Sequence, residues 1–468
     1  MNGVRLLPLL ALAGCITLGP DYQRPAIELP AQYPEAAPAE PAAEGAALAP
    51  DWWRLYADAT LDDLVASGRK SNADMRLAAA RVEEAEGVLR EARAAFFPEV
   101  IAGYSASRSR VSTSGVPPPQ PGTVIRPSHQ LLVSTNFEAD FWGRFARGSE
   151  AARANLLGNR LGQDVVALTL AGGIAQAYFA LRSLDAQITV LENSIRVRRD
   201  SLDIAKARLD AGLAPELDVY QAQGALSDAL VQKRDAERSR ALIEHQLAQL
   251  SGRLDLKLAA GDVFKLPLVP VPPAGLPSTL LDRRPDIRQA EENLVAANAQ
   301  IGIARAALFP TVSLTAGAGQ QSGELDTLLT TGARIWSLGF GLALPIFDAG
   351  RREARVDQAR ARREQAVAGY QRAIESGFRE VADALVNVQQ TGASEAELLA
   401  RLDAARNALE LSTLRYQSGY SPYLEVLDAQ RTANDAELAF VRNRQARLAF
   451  SVDLMKALGG GWNSGSGP

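Results

Sequence analysis

The feature that most constrains this chain is a ladder of residues spaced seven apart in its second half. The ladder reads Val367, Ile374, Val381, Val388, Glu395, Leu402, Leu409 and Tyr416, and seven of these eight residues are apolar. A hydrophobic period of seven keeps one seam of a helix facing a partner helix and imposes a left-handed supercoil. The pattern therefore predicts a long coiled-coil helix rather than a core helix of a compact enzyme.

The same ladder occurs 207 positions earlier, again with seven apolar residues out of eight: Arg160, Ala167, Ile174, Leu181, Ile188, Ile195, Leu202 and Leu209. The chain is therefore predicted to be an internal duplication. Each half reads helix, Phe-Pro, strand, loop, strand, Gly-Arg, very long helix, glycine turn and helix. The long helices, predicted over about residues 144–211 and 351–418, would each reach on the order of 100 Å at a rise of 1.5 Å per residue.

Two segments in each half change from the helical period to strict alternation. They follow the Phe-Pro breaks at Phe97-Pro98 and Phe309-Pro310, and the clearest places Trp336, Leu338 and Phe340 on one face against serine and glycine on the other. A strand with one apolar and one polar face has lipid or core on one side and water on the other. Each strand has about the length that a tilted transmembrane strand needs.

Four such strands cannot close a barrel. An open sheet edge facing lipid leaves backbone groups unpaired, at several kcal/mol each. The chain is therefore expected to oligomerise, and three copies would supply twelve strands, within the range of outer-membrane barrels.

The N-terminus has the features of an exported, lipidated protein. Residues 1–14 read as a signal peptide, with Arg5 before an apolar stretch too short to span a bilayer. Leu12-Ala13-Gly14-Cys15 resembles the bacterial lipobox, which implies that the sole cysteine, Cys15, becomes the lipidated first residue. The alternative is an ordinary signal peptide with a chance cysteine. Residues 26–50 are mostly Pro, Ala and Glu and predict an extended tether.

Composition argues against several other classes of protein. The 50 basic and 54 acidic residues are interspersed, so no clustered basic face for nucleic acid is predicted. One cysteine and two histidines exclude internal disulfides and multi-Cys/His zinc sites. Acid pairs such as Glu291-Glu292 are expected on solvated helix faces, and His129 in an exposed loop. No catalytic residues, metal site or cofactor are predicted, apart from the lipid on Cys15.

These observations predict the following division: signal peptide 1–14; lipidated N-terminus and tether 15–57; first repeat 58–252, with strands at about 100–110 and 131–142; linker 253–281; second repeat 282–458, with strands at about 311–320 and 334–347; and a flexible tail 459–468.

The chain resembles outer-membrane efflux factors of the TolC/OprM type, in their lipoprotein branch, over nearly all of its mature length. The features that carry the resemblance are Leu12–Cys15, Gly19-Pro20-Asp21-Tyr22-Gln23-Arg24-Pro25, Trp52-Trp53, the paired Phe-Pro breaks, Tyr416, Gly419 and Leu424–Gln430. The resemblance implies a mainly α-helical protein with a membrane β-barrel. It also implies a homotrimer whose twelve-stranded barrel stands on a helical periplasmic tunnel.

The implied partners are outer-membrane lipid, a periplasmic adaptor and an inner-membrane RND-type transporter, and the implied function is export of small molecules. The alternative is a lipid-anchored periplasmic coiled-coil scaffold without a pore. Such a scaffold would have no use for strands with one exposed apolar face.

The predicted helix tips carry the implied functional residues. Residues 208–223 align with residues 415–430 at seven identities in sixteen, including Gly212 and Gly419, which fit the left-handed position that ends a helix. Pro215 and Pro422 fit the first turn of the next helix. The resemblance implies that the adaptor docks at these two glycine turns.

The resemblance also implies a gate. Glu425 and Asp428 are three apart, share one face of the last helix and match an acidic constriction, which would hold six carboxylates in a trimer. The alternative is an acid pair that is favoured by the helix dipole. Tyr416 is expected to hydrogen-bond Asp218 as a latch. The arginine that some relatives use two residues after the glycine is Ser421 here.

Overall fold

The computed structural model describes residues 16–30, 33, 51–114, 124–269 and 280–460. The signal peptide, Cys15, most of the tether, residues 115–123, residues 270–279 and the tail after residue 460 lie outside the described residues.

Eight α-helices and four strands make up the described chain. After a 3-10 helix at Trp52–Tyr56, the elements are α1 (Ala59–Ser71), α2 (Ala73–Ala94), β1 (Glu99–Arg110), β2 (Ile125–Ala139), α3 (Arg144–Asp210), α4 (Glu216–Ser251), α5 (Leu280–Arg283), α6 (Pro285–Ala306), β3 (Thr311–Ser322), β4 (Arg334–Ala343), α7 (Arg351–Gln417) and α8 (Tyr423–Ala457).

The two long helices confirm the prediction from the ladders. Helices α3 and α7 each have 67 residues, begin at the predicted residues and end one residue earlier than predicted. Along α7 the seam is turned inward, because Ile374, Val381 and Leu402 are buried. Its one polar member, Glu395, forms an ion pair with Arg447 of α8. The polar position in the ladder is therefore matched by a charge on the adjacent helix.

The first helical segment is divided, whereas the sequence pattern predicted one helix up to Phe97-Pro98. Asn72 separates α1 from α2 in an extended conformation. Its side-chain oxygen accepts from the backbone N–H of Asp74 at 2.8 Å, and its amide donates to Leu250 O at 3.1 Å. Asparagine at such a position competes with helical hydrogen bonds, which the apolar period alone does not reveal.

The four strands form one antiparallel sheet in the order β1-β2-β3-β4. The register brings residues of like polarity opposite one another, which places them on the same face. One row on the apolar face is Ala102, Val133, Ala318 and Trp336. A row on the opposite face, which is polar except for its first member, is Ile101, Ser134, Gly317 and Ser337.

Both ends of strand β2 differ from the predictions. Strand β2 begins at Ile125 rather than 131 and so includes Pro127. Pro127 is paired with Arg108 of β1, but the pairing with β3 begins only at His129, so its missing N–H is tolerated. Strand β2 also ends at Ala139 rather than 142. There the Trp142 indole leaves the ladder and donates to Pro310 O at 2.6 Å.

Strand β4 ends at Ala343, before Pro345, rather than at 347, since proline has no N–H to donate. The longer β2 also corrects the expectation for His129, which lies in this strand and not in a loop. Its Nδ1 and the Tyr104 hydroxyl form a hydrogen bond of 2.8 Å.

The chain divides into two compact units, and each draws on both predicted repeats. The first comprises Met1–Ala26, Val82–Asn159 and Ala290–Tyr370, and it contains the sheet. Here Glu291 accepts from Tyr22 Oη at 2.9 Å and from Arg24 Nη2 at 2.6 Å. Glu291 is therefore not on a solvated face, as the sequence suggested. It holds the segment that follows the predicted lipid anchor.

The second unit comprises Ile27–Arg81, Arg160–Gln289 and Gln371–Pro468. Its core includes Trp52, Tyr56, Ile174, Phe179 and Leu448, all buried. Helix α3 contains a window apolar enough, by length and composition, to cross a membrane, but 56% of that window is buried inside the protein. A mostly buried window of this kind also occurs in core helices, so it does not by itself indicate a membrane span.

Candidate functional site at the helix tips

The tips of the two repeats, α3–α4 and α7–α8, are built alike. Each long helix is followed, two residues after its end, by a glycine with positive φ, +68° at Gly212 and +80° at Gly419, as predicted. Pro215 and Pro422 occupy the positions just before α4 and α8 rather than lying inside the first turn. The matching backbone hydrogen bonds are Gly212 N to Leu209 O, Leu213 N to Arg208 O, Gly419 N to Tyr416 O and Tyr420 N to Arg415 O.

The two tips pack on each other within the single chain. They share an apolar cluster from both repeats: Leu202, Ala205, Ala222, Tyr416, Tyr423 and Val426. The rings of Tyr416 and Tyr423 lie 5.3 Å apart between centroids. The end of α7 and the start of α8 are thereby seated against α3 and α4.

Tyr416 makes the contact that the resemblance implies. Its hydroxyl donates to Asp218 Oδ2 at 3.2 Å. Burial, followed by the Asp218 carboxylate, raises the pKa of Tyr416, so the hydroxyl keeps its proton and remains a donor. The hydrogen bond is thus present, while its role as a latch stays a prediction.

Arg208 also binds Tyr416, which the sequence reading missed. Its Nη1 donates to the carbonyl oxygens of Tyr416 at 2.8 Å and Gln417 at 3.2 Å. Its guanidinium also lies 4.8 Å from the centroid of the Tyr416 ring. The alignment of the tips contained a signal, since it places Arg208 opposite Arg415, but it could not reveal the partner.

Glu425 and Asp428 are both exposed on the first turns of α8, and each has a cation beside it. Arg415 Nε lies 3.9 Å from Glu425 Oε2, and Arg431 Nη2 lies 2.8 Å from Asp428 Oδ1. Such exposed pairs contribute little to stability. The sequence reading did not include these arginines, which reduce the net negative charge of the predicted ring.

The surface beyond the glycines is apolar. Leu213 and Tyr420, the residues after Gly212 and Gly419, are 69% and 81% exposed. Ser421, in the same turn, carries no charge. The tips therefore expose apolar side chains that do not pack into their own core.

A family model described as outer membrane efflux protein matches residues 64–253 and 276–460. The chain belongs to the outer membrane efflux protein family. The toluene efflux pump outer membrane protein TtgF of Pseudomonas putida is 35% identical over 466 residues, which cover 97% of this chain and 96% of TtgF. The cation efflux system protein CusC of Escherichia coli is 34% identical over 488 residues, which cover 99% of this chain and all of CusC.

Solved structures agree with this family assignment. The open state of the MtrE outer membrane channel of Neisseria gonorrhoeae superposes with a TM-score of 0.85 at 30% identity, covering 95% of this chain and 98% of MtrE. The protein is therefore an outer-membrane channel of efflux systems, mainly helical and with a membrane β-barrel. The scaffold without a pore is set aside, because the family is one of transport proteins.

A further cluster of charges in this outer membrane efflux protein is centred on Arg284, which is paired with two carboxylates. Arg284 lines a cavity of about 430 Å³ together with Asp286 and Glu380. It donates to both carboxylates at 2.7 Å and to Ala457 O at 3.0 Å. Within the described ranges, no group of three or more His, Cys, Asp or Glu side chains is placed to hold a metal ion.

Proposed function

We propose that three copies of this chain form one efflux channel, in which each copy supplies four strands to a twelve-stranded barrel. The observation that carries the proposal is the sheet itself. Strands β1 and β4 each pair along one edge only within the described chain, and the apolar face runs across all four strands. Unpaired backbone groups facing lipid cost several kcal/mol each, and closure between copies satisfies them.

A lipid on Cys15 would hold each copy at the membrane surface. Cys15 itself lies outside the described residues. Three positions after it, Leu18 donates its backbone N–H to Trp142 O at 3.1 Å, just beyond the end of β2. This contact supports a lipid anchor that inserts near the strand ends, and several acyl chains would retain the protein firmly.

The helix tips would form the gate and the docking surface. Tyr416 and Asp218 act as a latch within each copy, and three pairs of Glu425 and Asp428 surround the aperture. The exposed side chains beside Gly212 and Gly419 receive a periplasmic adaptor. The adaptor connects the channel to an inner-membrane RND-type transporter, and small molecules leave through the barrel.

The mass of the detergent-purified protein tests the assembly. We expect the mass of about three chains of 50.0 kDa, less the signal peptide, by light scattering corrected for detergent. The same sample should conduct ions in planar bilayers. A monodisperse monomer would contradict the closed barrel, and a trimer without conductance under any applied voltage would contradict the channel.

A further inference from the structure

We infer that Arg208 is a positioning residue of the closed tip, which holds the end of α7 against the tip of the first repeat. The inference rests on the proposed gate and names a residue through which that gate is held. Because α8 begins at Tyr423, shortly after α7 ends at Gln417, holding the end of α7 also positions Glu425 and Asp428.

The contacts of Arg208 all converge on the last residues of α7. One guanidinium nitrogen donates to Tyr416 O at 2.8 Å and to Gln417 O at 3.2 Å. These carbonyls belong to the last turn of a helix, where the helix dipole places negative charge and carbonyls lack intrahelical donors. A guanidinium is a suitable cap for such an end because its N–H groups donate to the carbonyls and its positive charge offsets the negative end of the helix dipole.

The Tyr416 side chain strengthens the same attachment. The Arg208 guanidinium lies over the Tyr416 ring at 4.8 Å from its centroid, a cation–π contact. Tyr416 is buried and Arg208 is half-buried, so these interactions are partly shielded from water. Two groups of the first repeat therefore bind one residue of the second: Asp218 binds the hydroxyl of Tyr416, and Arg208 binds its carbonyl and its ring.

The duplication supplies an internal comparison. Arg415 occupies the position in the second repeat that Arg208 occupies in the first, yet its ion-pair partner is Glu425 at 3.9 Å, in a half-exposed pair. The corresponding carbonyls at the end of α3, those of Leu209 and Asp210, have no side-chain donor in the described part of the chain. Of these two equivalent arginines, Arg208 contacts the helix end of the other repeat, whereas Arg415 pairs within its own repeat.

The loop between α7 and α8, residues 418–422, contains no cation. Residue 421 is serine, so a cation cannot act from that position of the second repeat. Arg208 acts from the opposite side of the same contact, on the first repeat. Opening that moves the end of α7 away from α3 has to break the two Arg208 hydrogen bonds and the cation–π contact as well as the Tyr416–Asp218 bond.

The experiment compares open probability in planar bilayers for full-length protein carrying Arg208→Gln, Arg208→Lys or Arg415→Gln. Hydrogen bonds from a charged donor are strong enough that we expect Arg208→Gln to raise the ratio of open to closed channels about tenfold. Arg208→Lys keeps the charge and a donor nitrogen but loses the planar guanidinium fork, so its effect should be intermediate. Arg415→Gln removes the same charge from the equivalent position, where the exposed pair with Glu425 contributes little, so it should raise the ratio less than Arg208→Gln does.

Thermal unfolding of the trimer, followed by helical circular dichroism, separates positioning from general stability. We expect all three variants to unfold within a few degrees of the wild type, since the tip cluster remains packed. Equal open probabilities for Arg208→Gln and Arg415→Gln would overturn the inference, as would a lowered unfolding temperature without more opening. If Tyr416→Phe opens the channel and Arg208→Gln does not, only this inference fails; if neither does, the proposed gate fails with it.

Discussion

Tyr416 and Asp218 come from different repeats, and the 3.2 Å hydrogen bond between them is part of the attachment of one helix tip to the other. Because the sequences of the two tips are related, this contact joins two versions of the same hairpin. The contact is specific to one pair, since the residue aligned with Tyr416 in the first repeat is Leu209 and has no hydroxyl.

Tyr416→Phe should loosen closure modestly. The substitution removes the hydroxyl donor but keeps the ring that contacts Arg208 and Tyr423. Because a single hydrogen bond to a carboxylate is lost, we expect the ratio of open to closed channels to rise about two- to tenfold in planar-bilayer recordings. Tyr220→Phe is a matched control, because the Tyr220 hydroxyl donates to Glu216 at 2.8 Å in an exposed contact within α4. Equal effects of the two substitutions would contradict the latch.

The pair Glu425→Ala with Asp428→Ala should reduce the preference of the channel for cations. Six carboxylates near one axis attract cations and repel anions, and their removal leaves the adjacent Arg415 and Arg431 uncompensated. The reversal potential in a salt gradient measures the change. Asp235→Ala with Glu237→Ala removes the same charge from α4, where Asp235 is also paired with an arginine three residues on, and should not affect selectivity. Unchanged selectivity in the first variant would show that Glu425 and Asp428 do not line the aperture.

The sheet predicts opposite outcomes for two adjacent substitutions. Leu338 lies on the apolar face and is 77% exposed, whereas Ser337 points to the other face. Leu338→Lys places a charge in lipid, which costs about 2–4 kcal/mol near the bilayer midplane, so the amount of trimer in outer-membrane fractions should fall. Ser337→Lys places the same charge toward water and should assemble. Loss of trimer in both variants, or in neither, would mean that the faces are assigned wrongly.

Cys15→Ala should abolish lipid labelling without removing the channel from the membrane. Cys15 is the only cysteine, so labelled palmitate has no other thiol-derived anchor to enter. The barrel should keep assembled trimers in the outer membrane, as measured by fractionation. Absence of label from the wild-type protein would refute the lipobox reading.

The sequence predicted those parts of the fold that local periodicity determines. The ladder from Val367 to Tyr416 specifies a helix because residues seven apart share a seam, and the alternation around Leu338 specifies a strand because its period is two. The glycine stops at Gly212 and Gly419 could also be read from sequence, since few other residues accept positive φ.

The remaining features depend on partners that are distant in sequence. The second strand was predicted to begin at about residue 131, but β2 includes Pro127, which is tolerated because β3 does not pair there. Glu291 reads as a solvated acid until Tyr22 and Arg24 are brought to it. Arg208 likewise reads as an ordinary basic residue near a helix end, and its role follows from α7 lying beside it. No local pattern contains this information.

The pairing of β2 with β3 has a consequence for how the protein is made. Val133 stands opposite Ala318, and α3, α4 and the whole linker are synthesised between them. Closing a longer loop costs more entropy, although the cost rises only with the logarithm of its length, about (3/2)RT ln n. The hairpin of β1 and β2 therefore leaves the export machinery with an apolar face and an unpaired edge, which are features that promote aggregation. Until residues 311–343 have also been exported, other proteins have to shield this half-sheet from aggregation. The order of export therefore sets a minimum time for which biogenesis of the channel depends on such proteins.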